Sequence, residues 1–174
     1  MNNPLDIMYA EHEVVMKAEK VVDGLKGLWE TDPSRFESTA RQLVGFFREY
    51  ADGYHHRKEE EILFPAIMDH PDFVLHGIIE EFETHHEDFR EYAREIMEAL
   101  DDKDYPRAMK VLERYTGDLL DHIAAENDEL FVLAENLLDP QLLETLYFKF
   151  QDVDMELGQE RKAAFETMID KLME

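Results

Sequence analysis

The sequence predicts an all-α protein, an up-down-up-down four-helix bundle with an additional C-terminal helical segment. Apolar residues recur at steps of three and four along four long stretches, and the breaks between stretches carry Asn or Asp followed by Pro. No alternating apolar run with a hairpin turn signal occurs. At 174 residues and 20.6 kDa the chain reads as one domain, 1–174, with a four-helix bundle over 1–136 and a helical extension over 137–174.

Asn3-Pro4 starts helix one, Asn as cap and Pro at the first helical position, where a missing N–H costs nothing. Met8, Val15, Val22 and Trp29 carry it to about Trp29, with His12 on the same stripe. Asp32-Pro33 starts helix two, whose face of Phe36, Ala40, Leu43, Val44, Phe47 and Ala51 continues in phase to His55, Glu59, Ile62 and Leu63. Pro65 is expected to kink or end it. Helix three runs from about Phe73 to Leu100 with Ile79, Phe82, His86, Phe89, Ala93 and Ile96 inward. Helix four follows Pro106 with Leu112, Tyr115, Leu119, His122, Glu126 and Leu130. Asp139-Pro140 opens the extension, which Gly158 divides.

The composition narrows the chemistry. With 42 acidic residues against 18 basic ones, the net charge of −24 opposes binding to phosphate backbones or anionic lipid, because no basic patch replaces released counterions. No segment approaches the ~20 apolar residues of a membrane span, and no signal peptide is recognised, so a cytoplasmic location is expected. The chain has no cysteine, which removes thiolate sites and leaves imidazole and carboxylate, a donor set that suits iron, manganese or zinc.

Helical phase then selects among the histidines. His12, His55, His86 and His122 lie on the four apolar stripes, one per helix. Glu59 and Glu126 follow His55 and His122 by four residues, a spacing that puts both groups on one helix face. Two carboxylates turned inward without an obvious Lys or Arg require a compensating cation. Six donors exceed one tetrahedral ion and match two ions, each with two histidines, bridged by Glu59 and Glu126. His56 and His85 stand about 100° off the stripes and are expected at solvated or rim positions. His70 falls in a loop, His76 reads as a structural residue at a helix start, and phase disfavours Glu60 and Glu61. Tyr9 and Tyr54 read as packed aromatics with surface hydroxyls, donation towards the site being the alternative.

The segments AEHEVV, HHRKEEEILFP, THHEDFR and DHIAAENDELF, taken in that order, resemble the hemerythrin-like (HHE cation-binding) domain family over roughly residues 5–135. The resemblance implies two iron ions, oxo- or hydroxo-bridged, with His12, His55, His86 and His122 as terminal ligands and Glu59 and Glu126 as bridges. It also implies a role in binding, sensing or detoxifying O2, NO or H2O2, with a redox partner. Iron handling or delivery, iron–sulfur repair, and peroxidase or oxidase turnover are the alternatives. The chain differs from oxygen-carrying members at Phe82, where they have a histidine four before His86. It differs again at Asn127, five after His122, where they have Asp. The single Glu-x-x-His spacing, Glu83 to His86, lacks the second copy a ferritin-like centre needs.

Overall fold

A computed structural model describes residues 2–174, and no strand occurs among them. Four antiparallel rods form the bundle. The first comprises α1 (Pro4–Val15) and α2 (Ala18–Leu25), followed by the short α3 (Leu28–Thr31). The second begins as α4 (Pro33–Phe46), widens into π-helical segments Phe47–His56 and Glu59–Leu63, and closes as α5 (Phe64–Met68). The third is α6 (His76–Asp101). The fourth is α7 (Tyr105–Ala125), a π-helical turn Glu126–Leu130 and α8 (Phe131–Leu137). The extension folds as α9 (Pro140–Leu157) and α10 (Gln159–Leu172).

The cap-and-proline signals act as expected. Asn3 accepts a hydrogen bond from the Leu5 amide, Asp32 from Arg35, Asp104 from Arg107, and Asp139 from Gln141 and Leu142. Helix one is not continuous to Trp29. It is interrupted at Met16-Lys17 and stops at Lys26-Gly27, where Gly27 takes φ 73°, a left-handed conformation that glycine adopts without steric penalty. Nor does the second rod end at Pro65. The proline sits at the start of α5, where the π-to-α switch absorbs its missing donor and the rod runs on to Met68.

Two apolar clusters fill the bundle at different heights. One contains Val15, Leu43, Phe47, Tyr54, Phe89, Tyr115 and Leu119; the other contains Met8, Leu63, Phe64, Phe82, Leu130 and Phe131. On every rod, the inward histidines and carboxylates fall between residues of the first cluster and residues of the second. The polar residues therefore form a layer with hydrophobic packing above and below. Outside the bundle, α9 packs on α1 and the second rod, and α10 on α2 and α4. Among the described residues no helix is long and apolar enough to cross a membrane.

Candidate metal centre

All six histidine and glutamate candidates meet in that layer. His12, His55, His86, His122, Glu59 and Glu126 are each 0–2 % exposed. Their donor atoms form two overlapping groups. His12, His55, Glu59 and Glu126 offer atoms within 4.8 Å of one another, and so do His56, Glu59, His86 and His122. Glu59 belongs to both groups. Glu126 reaches across them, with Oε2 3.2 Å from His12 Nε2 and Oε1 3.0 Å from His122 Nε2.

His56 corrects the helical-phase reading. It is buried at 2 % exposure, with its ring stacked on His86 at 3.8 Å between centroids. In an α-helix neighbouring residues diverge by about 100°. The wider i→i+5 coil of Phe47–His56 turns each residue through less, so His55 and His56 both stay on the inward arc. His85 is half-buried at the rim, with Nδ1 3.0 Å from His122 Nδ1. His76 and Glu83 are exposed, so Glu83 does not pair with His86 in a ferritin-like unit.

Each inward imidazole is held from outside through Nδ1. His12 donates to Asn127 Oδ1 at 2.7 Å, His55 to Glu11 at 2.8 Å, His56 to Asp52 at 3.2 Å and His86 to Glu60 at 2.8 Å, while His122 meets His85. Carboxylates and amide oxygens accept only, so these contacts put the proton on Nδ1 and turn the Nε2 lone pair to the interior. Asn127, the departure noted in the sequence, is thus the partner of His12. Behind Glu11 lies Lys58, fully buried, which also donates to Asp154 Oδ1 at 2.6 Å and stands 3.8 Å above the Tyr54 ring. Behind Asp52 and Glu60 lies Arg90, which donates to both. The Tyr54 hydroxyl is buried rather than at the surface, and Tyr9 donates to the Asn127 carbonyl.

The interior is short of donors. Both oxygens of Glu59, both of Glu126, and Nε2 of His12 and His55 are buried without a hydrogen bond. Leaving such groups unpaired costs about 1–3 kcal/mol each, and more for charged ones. Lys58, beside Glu59 in sequence, commits its charge to Glu11 and Asp154, so neither inward carboxylate meets a lysine or arginine. Without an ion, protons fill the gap. Burial would lower the His55 pKa, but the Glu59 and Glu11 carboxylates outweigh it and raise it to about 10. His86 is likewise raised to about 9 against burial, by Glu59 and Glu60. Burial and the neighbouring His86 push His56 down to about 3. Burial and Glu59 push Glu126 up, but His122 and His12 hold it at about 2. The arrangement is a converging set of imidazole nitrogen and carboxylate oxygen donors, which fits divalent or trivalent metal ions.

Residues 3–134 match the family model of the hemerythrin HHE cation-binding domain. Neither a curated protein nor a solved structure gives a significant match.

Proposed function

This chain belongs to the hemerythrin HHE cation-binding family, and we propose that its buried layer is a dinuclear non-haem iron centre that binds, senses or detoxifies O2, NO or H2O2. The two donor groups sharing Glu59 carry this reading, because ions held there would satisfy the orphaned oxygens of Glu59 and Glu126 and the orphaned nitrogens of His12 and His55. His12, His55, His86 and His122 are the terminal ligands, and Glu59 and Glu126 the bridges.

When bound, the iron pair supplies redox change and coordination positions for a small molecule. The chain supplies the rest. Asn127, Glu11 and Glu60 fix the tautomer and tilt of their imidazoles, and the two apolar clusters keep bulk water from the layer. Between α6 and α7 a groove lined by His85, Asp88, Asp121 and His122 brings solvent to one edge of the cluster. The other edge is covered by α9. Reductant and small ligand are accordingly assigned to the α6–α7 side.

Protein purified without chelator and loaded anaerobically with Fe2+ is expected to hold about two ions per chain and to develop visible absorption on exposure to air. Less than about one ion per two chains, with no absorption, would sink the dinuclear reading. Stopped-flow mixing of the reduced protein with O2, NO and H2O2 then separates a persistent adduct from turnover, since only turnover consumes peroxide in excess of the iron.

A further inference from the structure

We propose that His56 is a seventh metal ligand, supplying from the second rod the imidazole that Phe82 denies to the third; this inference rests on the dinuclear reading above. The donor geometry is direct. His56 is one of the four residues whose ligating atoms come within 4.8 Å of one another on the His86 and His122 side.

Its environment is built as those of the other four are. Nδ1 is engaged by Asp52, and Asp52 is itself held by Arg90 through Nε and Nη2, so the ring is clamped with Nε2 left as the coordinating atom. A histidine kept for packing alone needs no such clamp, and His56 is buried at 2 % exposure beside three other donors. Phe82, buried on the opposite side, puts its ring edge-on to His122 at 5.3 Å and offers carbon only. The π-helical segment Phe47–His56 is what lets two successive histidines serve two different ions, His55 on one side and His56 on the other.

The centre then has unequal halves. One ion would be held by His56, His86, His122 and Glu59, the other by His12, His55, Glu59 and Glu126. The substitution at Phe82 removes a histidine from the third helix without lowering the number of imidazoles in the layer.

The test compares His56→Ala and His56→Gln with wild type and with His76→Ala, an exposed residue outside the layer, reading bound Co2+ per chain by elemental analysis and cobalt absorption. The expected result is about two ions in wild type and His76→Ala, and about one in both His56 variants. Millimolar imidazole should restore the second ion in His56→Ala but not in His56→Gln, where the amide fills the space. Two ions held with unchanged affinity in folded His56 variants would overturn the proposal while leaving the dinuclear reading intact; failure of wild type to hold two ions would overturn that reading instead. A count on the unmodified protein decides the matter if the variants do not fold. Co2+-loaded wild type should show five hyperfine-shifted, solvent-exchangeable imidazole N–H signals, one per coordinated ring, and four would exclude His56.

Discussion

The His12 and His55 half of the layer is backed by the half-buried Asn127, by Glu11 and Lys58, both buried, and by Asp154 of α9 beyond them. The half formed by His56, His86 and His122 is backed by Asp52, Glu60, Arg90 and His85, whose side chains are 26–36 % exposed. Both halves use the same device, an acceptor on Nδ1, but at opposite depths. A buried ion pair fixes geometry rigidly and is costly to break, whereas a solvated one adjusts and is screened. The deep half is therefore the fixed one, and the half on the α6–α7 side is the one able to respond to solvent and partners.

The sharpest way to break this contrast is to remove what the halves share. Glu59→Gln is expected to lose both ions. His12→Ala, whose residue lies outside the group around His56, His86 and His122, should retain one. Elemental analysis distinguishes them, and equal loss in both variants would show that the halves are not separable. Next in size is the backing. Lys58→Met leaves the buried Glu11 uncompensated and should lower stability by about 3–5 kcal/mol in urea unfolding. Arg90→Met, on the solvated side, should cost about 1 kcal/mol or less.

The last test is the pH profile of metal-free protein. His55 and His86, with pKa values raised to about 10 and 9, contribute stability that is complete below pH 6.5 and lost as pH rises through those values. His56, lowered to about 3, has the opposite sign: its contribution is complete above pH 6.5 and falls as the pH drops towards 3. Glu126, held at about 2, adds stability above pH 4.5 that disappears on acidification. The urea midpoint in EDTA should therefore peak near pH 6.5 and fall on both sides. A flat profile from pH 5 to 10 would show that the buried histidines are not charged against these carboxylates.

Much of this was readable from residue order. The Asn/Asp-Pro caps and the spacing of apolar residues locate the rods, and phase turns His12, His86 and His122 inward because their helices are regular around each residue; His55 is inward too, although it lies in the π-helical segment. Phase failed where regularity failed. α-Helical geometry puts His56 outside, and the second rod does not keep that geometry. A signal was present in Gly53, a glycine inside an otherwise helical pattern. A Cβ there would lie 3.2 Å from the Arg48 carbonyl, the crowding of a coil whose amides reach back five residues. Glu11, Asp52, Lys58 and Asn127 look like ordinary surface residues in sequence. Their roles depend on pairings up to 115 residues apart, such as His12 with Asn127, which no local pattern records.

The placement of the polar layer has a mechanical consequence. Residues 12, 55, 86 and 122 lie on four different rods at one height, in a chain without a single cysteine. Ions seated there act as cross-links between distant points of the chain, closing loops of a length for which one covalent link contributes roughly 3–4 kcal/mol by restricting the unfolded state. The metal layer would do for this bundle what disulfides do for a secreted domain, with the difference that this staple could be removed by a chelator.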